Sequence, residues 1–141
     1  MASLTLAHAR TVIDHALAAA RGEGFLPMGV VVVDAAAQVV ASAREDGATA
    51  LRLDIALGKA AAAVGMGANS RTLAERAKQL PAFFGAVSVA SQQKFIPQTG
   101  AVLITDEAGA VLGAAGASGG TGDEDEQIVI AGIAAAGLKH A

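Results

Sequence analysis

Two pairs of short apolar runs, each pair joined by a few turn-forming residues, limit this chain to few folds. Met28–Asp34 is a β-branched run, followed across Ala35–Ala37 by Gln38–Arg44. Ala101–Thr105 is followed by Val111–Ala117, with the turn chemistry of Asp106-Glu-Ala-Gly109 between them. Strands joined this tightly run antiparallel, because a parallel connection needs a crossover of about a dozen residues or more. Helical segments flank the pairs. Leu6, Ala9, Val12, Ile13, Ala16, Leu17 and Ala20 keep the helical period and predict a helix over 5–21, with Ser3 or Thr5 as N-cap and Gly22 and Gly24 as its stop. An alanine-rich helix is expected over 49–66, with Leu53, Ala56, Leu57, Ala60 and Val64 inward. A shorter polar helix over 72–80 is closed by Pro81, and Ile128 to Leu138 close the chain as a helix. The 82–97 segment is the least periodic, and Ala86–Ala90 within it reads as a strand or part of a loop. The order α, β, β, α, α, β, β, α implies an α+β fold, an antiparallel sheet packed by helices rather than a doubly wound one.

Length and charge narrow the class of function. The 141 residues suit one domain over 1–141, and 53% apolar against 16% charged residues places the chain among folded proteins. No apolar run reaches the roughly 18–20 residues of a membrane span, and the N-terminus has no cationic leader ahead of an apolar segment. Membrane insertion and a signal peptide are therefore not expected. With no Cys, disulfide, thiolate and Cys–metal chemistry are excluded, and the cytoplasm is the expected compartment. A net charge of -3 argues against a nucleic-acid partner. Small molecules or protein remain as partners. Thirty-six alanines and 17 glycines against four Phe and no Trp or Tyr make a core of small side chains. Such a core buries little area per residue, so the composition points to a homo-oligomer, set against a codon bias toward Ala and Gly.

Three groups of residues are candidates for chemistry. Ser118-Gly-Gly-Thr-Gly-Asp-Glu-Asp-Glu126 joins a strand to a helix. Gly119, Gly120 and Gly122 permit positive φ and close ligand approach, Thr121 or Asp123 is placed to cap the helix, and its free amides suit a phosphate or carboxylate. It lacks the Gly-Lys-Ser/Thr ending of a P-loop and the spacing of a calcium loop, and no metal site is expected. As a plain structural element it is a tight turn whose acids complement the helix dipole. Lys59 lies among Ala, Gly and Leu, where a buried cation needs a partner or a ligand. Arg52 falls on the same helical stripe, so the two together suit a carboxylate or a haem propionate; alternatively, both stems lie along apolar surface with their heads in water. His8 and His15 lie on the polar flank of the first helix, either solvated or available as an iron ligand at a subunit interface. Ser118, His15 and Asp123 lack the nucleophile-elbow spacing that a hydrolase triad would need.

Taken together, Leu4–Arg10, the Val30–Asp34 strand with its hairpin, Asp54–Ala60 and above all Gly113–Glu126 resemble the GlcG/HbpS-like family, which includes the PduO C-terminal-domain type. The resemblance covers nearly the whole chain. It implies a profilin-like fold, an antiparallel sheet of about five strands with helices on both faces, and assemblies from dimers to octamers. It also implies haem-binding or haem-degrading relatives, with haem as a possible cofactor. Where relatives tend to read Pro-Gly-Gly-Val-Pro before the penultimate strand, this chain reads Ile96-Pro-Gln-Thr-Gly-Ala-Val102, a loop expected to line the ligand site. The leading reading is a small-ligand-binding protein, taking haem or another carboxylate-bearing molecule through Arg52, Lys59, Ser118, Gly119, Gly120, Thr121 and His15. The alternatives are an assembly protein, or an enzyme or accessory protein acting on a small oxo or hydroxy acid in a catabolic pathway. In the enzyme, Lys59 is electrophile or base, and a carboxylate such as Asp123 or Glu126 is its counterpart.

Overall fold

In the computed structural model, which describes residues 3–92 and 94–141, both sequence-predicted hairpins form and share one sheet. Strands β1 (Gly29–Asp34), β2 (Val39–Arg44), β3 (Ala101–Thr105), β4 (Val111–Ser118) and β5 (Lys139–His140) are ordered β2-β1-β4-β3-β5, and every neighbouring pair is antiparallel. The two turns use one device. Asp34 Oδ1 accepts from the amides of Ala36 and Gln38, and Asp106 Oδ1 accepts from those of Ala108 and Ala110. Each carboxylate thereby satisfies two amides that the turn takes out of the ladder.

Helices cover both faces of the sheet. α1 (Leu6–Glu23) and α5 (Gly122–Ala135) pack on Val30, Val32, Val102, Ile104, Ala115 and Ala117. α2 (Arg52–Met66) packs on the other face, where Ala56, Ala60 and Ala63 meet Val31, Val33, Leu103 and Ala114. Strand residues alternate between these layers as the two-residue period requires. α3 (Ser70–Gln79) and α4 (Pro81–Ala90) lie outside α2 and form a small core of Leu73, Phe84 and Phe95 around Ala62. Thus α2 is buried on two sides, which its run of alanines allows. No helix among the described residues is long and apolar enough to cross a membrane.

The small residues have an intrachain use that their number alone does not reveal. A side chain at Gly116 would come within 2.6 Å of the Ala56 carbonyl oxygen, and one at Gly29 within 3.0 Å of the Arg52 backbone. One at Gly132 would run into the Val12 carbonyl. Glycine therefore lets α2 approach the sheet and α5 approach α1, so much of the Ala/Gly content serves packing within one chain.

Three sequence expectations shift. Ala86–Ala90 is neither strand nor loop but the second half of α4, because Pro81 at the first helical position starts a helix as well as ending the one before it. Residue 93, within the 82–97 segment, lies outside the described residues. The fifth strand is instead Lys139–His140, which pairs with Ile104 and Thr105. α5 begins at Gly122, well before its first large apolar residue.

Candidate functional site

β4, α5 and α2 converge at the end of the sheet, where the turn from Ser118 to Gly122 crosses the N-terminal half of α2. Thr121 is the N-cap of α5. Its hydroxyl accepts from the Glu124 amide at 3.2 Å, and Glu124 Oε1 accepts from the Thr121 amide at 2.9 Å, which completes a capping box. The two following amides, of Gly122 and Asp123, occupy the first turn, where a helix has no acceptor of its own to offer.

The glycines of this turn serve contacts inside the chain. A side chain at Gly119 would meet the Pro27 carbonyl and Met28, one at Gly120 would meet Glu124 and Met28, and one at Gly122 would meet Thr99. Gly120 and Gly122 are not at positive φ, so compactness accounts for them, whereas Gly119, at φ +159°, combines a close approach with a backbone angle that residues with side chains rarely adopt. Gly120 and Gly122 still line the cleft beside the turn, whereas Gly119 does not.

Lys59 is buried, at 5% exposure, and its ammonium is partnered. Nζ donates to Asp125 Oδ2 at 2.9 Å and to the Ala117 carbonyl at 3.0 Å. Asp125, at 1% exposure, accepts on its other oxygen from the Gly120 amide at 2.9 Å. Burial pushes the Asp125 carboxyl above the ordinary carboxylate range, against the lowering pull of the Lys59 charge and hydrogen bond and of the Gly120 amide. The Lys59–Asp125 pair thus links α2, the last residues of β4 and the start of α5.

A cleft of about 450 Å³ opens beside this pair. Arg52, Ile55 and Lys59 line it from α2, and Ser118 and the start of α5 line it from the other side. Gln98 and Thr99 line it from the loop that departs from the family pattern. That loop is held on α2 because the Ile96 amide donates to the Gly58 carbonyl, while the Ile96 side chain occupies the space a side chain at Gly58 would need. Arg52 is half-buried. It donates to Thr49 Oγ1 at 3.0 Å and to Ser118 Oγ at 3.3 Å, and no carboxylate pairs with it among the described residues. Its charge helps to lower the Asp125 carboxyl, but a guanidinium held by two hydroxyls and in ion-pair contact with no carboxylate among the described residues keeps donors available for an anion in the cleft.

The candidates from sequence thus divide. Arg52, Lys59, Ser118, Gly120, Thr121 and Asp123 come together on the cleft. Glu126 does not line it; with Asp123 it pairs with Arg71 of α3 instead. His15 is exposed on α1 and outside the cleft. His8 is drawn into the cap of α1, where its Nδ1 accepts from the Thr5 amide at 3.3 Å. The carboxylate facing Lys59 is Asp125, and helical spacing marks it: Asp125 falls on the stripe of Ile128, Val129, Gly132 and Ile133, while Asp123 and Glu126 lie off it.

Haem imposes a stricter requirement than a carboxylate does. Arg52, Ser118 and the free amides of α5 suit a propionate, but among the described residues no imidazole, thiol, thioether or phenol lines the cleft to bind iron. The cleft of one chain therefore fits the acid group of haem and not its metal.

This arrangement defines a mixed α/β domain with an anion-compatible cleft at the end of an antiparallel sheet. The sequence model described as haem degrading protein HbpS-like matches residues 4–134, and the chain belongs to that family. A structure of a double mutant of Streptomyces reticuli HbpS is 31% identical, covers 95% of this chain and 87% of its own, and superposes with a TM-score of 0.81. A structure titled PduOC:Heme Complex is 24% identical over 98% of both chains, with a TM-score of 0.87. Klebsiella pneumoniae ORFY is 23% identical over 97% of this chain and 93% of its own, with a TM-score of 0.86. The last two share the fold. No curated protein matches the sequence significantly.

Proposed function

We propose that this chain is a binding protein for a small carboxylate-bearing molecule, with haem a member of that class through its propionates. The observation that carries the reading is Arg52, the cleft cation that no carboxylate neutralises, placed beside Ser118 and the start of α5. Lys59, by contrast, has its charge met by Asp125 and acts chiefly by holding the turn in place. The family description and the haem complex of a protein with the same fold support haem as a ligand. No imidazole lines the cleft among the described residues, so an imidazole on the outside of the chain would complete such a site, and His15 is an exposed one. A cytoplasmic setting, expected from the absence of Cys, belongs to the same proposal.

Hemin titration followed by absorbance tests the haem form of this reading. A saturable shifted Soret band is expected, weakened at least about tenfold by His15→Ala through loss of an axial ligand. A spectrum of free hemin at all ratios would remove haem from the ligand class. An unchanged titration in His15→Ala would remove that residue's role.

A second reading, an enzyme or accessory protein acting on a small oxo or hydroxy acid, has one observation in its favour. The Lys59 ammonium has three donors and uses two inside the chain, leaving one beside the cleft. In that case Lys59 polarises the bound oxygen and Asp125, not Asp123 or Glu126, is the group that faces it. Turnover of an acid substrate that survives in a folded Lys59→Met protein would eliminate this reading.

A further inference from the structure

We propose that Asp123 makes the cleft selective for a monocarboxylate whose second polar group is a neutral hydrogen-bond donor, a hydroxyl or an amide, over the dicarboxylate of the same shape. The proposal rests on the reading of the cleft as a carboxylate site and adds which carboxylates it takes. Among the described residues, four charged side chains line the cleft: Arg52, Lys59, Asp123 and Asp125. Lys59 and Asp125 spend their charges on each other, with Nζ and Oδ2 2.9 Å apart and both groups buried. Arg52 therefore supplies the counter-charge for one carboxylate, and no second unpaired cation lines the cleft for another.

The remaining lining charge has the opposite sign. Asp123 stands in the first turn of α5 with an exposed side chain, and Arg71 of α3 donates to its Oδ1. The same guanidinium also donates to both oxygens of Glu126, at 3.1 and 3.2 Å. One cation shared by two carboxylates leaves an excess of negative charge on this wall. Asp123 Oδ2 is left for a ligand. An ionised carboxylate accepts and has nothing to donate, so the group that suits it is a donor. A second carboxylate meets a like charge there and brings no proton to share. Gln98 and Thr99 complete this side of the cleft without charge, Thr99 standing against Gly122, the residue before Asp123.

The other acids at this helix start have uses inside the chain. Glu124 closes the capping box on Thr121, Asp125 faces Lys59, and Glu126 takes the larger share of Arg71. An acid at 123 that only complemented the helix dipole would act on stability and be indifferent to the charge of a ligand. Across the roughly 5–7 Å that separate the ends of a small di-acid, like charges in a partly solvated cleft change affinity about fivefold, and less as salt is raised.

Calorimetric titration of the full chain at low salt with matched pairs of acids tests this. The pairs are malonate with malonamate, succinate with succinamate and glutarate with glutaramate; each half-amide keeps the shape of its di-acid with one charge fewer. The half-amide is expected to bind about fivefold more tightly than its di-acid. Asp123→Asn should bring the two members of a pair close to equal affinity. Arg71→Gln, which leaves Asp123 and Glu126 without their counter-charge, should widen the gap. A purely structural role for these residues would move neither ratio. Both positions are exposed, so circular dichroism should show an unchanged fold. A di-acid bound as tightly as its half-amide by the unaltered protein would overturn the proposal, and so would a ratio that either variant leaves unchanged; both results leave Arg52 as the carboxylate's partner. Failure of di-acids and half-amides alike to bind would overturn the carboxylate reading of the cleft and this proposal with it.

Discussion

At neutral pH, Lys59→Met is expected to lose about 3 kcal/mol or more of folding stability, because it leaves Asp125 buried with its counter-charge gone. At this chain length the loss corresponds to a fall of roughly 10 °C in melting temperature. The pH dependence identifies the cause. Burial already holds the Asp125 carboxyl above the ordinary carboxylate range, and removing Lys59 takes away the largest of the influences that lower it. A carboxyl whose folded value lies above its unfolded value binds its proton more tightly in the native state. Its contribution to stability is complete below the unfolded value, about 4, and is lost as pH rises through the raised folded value. The deficit of Lys59→Met should therefore shrink as the medium is acidified toward pH 4. Lys59→Met/Asp125→Asn should be more stable at neutral pH than Lys59→Met by about 2 kcal/mol, since the amide still accepts from Gly120 without a charge to bury. Urea unfolding of the three proteins at two pH values gives the comparison. A Lys59→Met penalty independent of pH would show that the pair is not what links α2 to α5.

Two glycine substitutions in helices are expected to act in opposite directions. Ordinarily Gly→Ala in a helix interior gains up to about 1 kcal/mol. Gly85 of α4 has nothing within 4 Å of where a side chain would stand, so Gly85→Ala should follow that rule. In α5, a side chain at Gly132 would meet the Val12 backbone, and since a carbonyl in a packed helix cannot swing aside, Gly132→Ala should cost about 1–3 kcal/mol. Thermal melts of the two variants decide the matter. Stabilisation by both would contradict the close approach of α1 and α5 on which one face of the sheet depends.

These residues also show what could be read in the sequence. The hairpins were legible because short apolar runs, Val30–Val33 and Ala101–Thr105, lead directly into Asp34 and Asp106, whose carboxylates build the turns. α4 was not. Its sequence is apolar all round, yet only Phe84 is buried, so neither helical nor strand periodicity marks it. β5 is two residues long and exists through its pairing with β3, a tertiary contact without a local signature. At the cleft, the Arg52 and Lys59 stripe and the Ser118–Asp123 turn stood out by spacing and by the cost of burying a cation. The choice of Asp125 over Asp123 and Glu126 needed the phase of α5, and the contribution of Gln98 and Thr99 needed the Gly58–Ile96 contact that seats their loop. The alanine and glycine content was ambiguous for a related reason: composition does not tell a small residue that admits a neighbouring helix from one that admits a neighbouring subunit.

The central claim is that Arg52 makes this cleft a carboxylate site, and a thermal-shift titration with small carboxylic, oxo and hydroxy acids tests it most directly. At about one hundred times its dissociation constant, a ligand of the native state alone adds about 2.7 kcal/mol of stability. The account predicts that at least one such acid raises the melting temperature saturably, that its amide does not, and that Arg52→Gln abolishes the rise while remaining folded. A melting temperature that no acid moves, or a rise of equal size in Arg52→Gln, would contradict it.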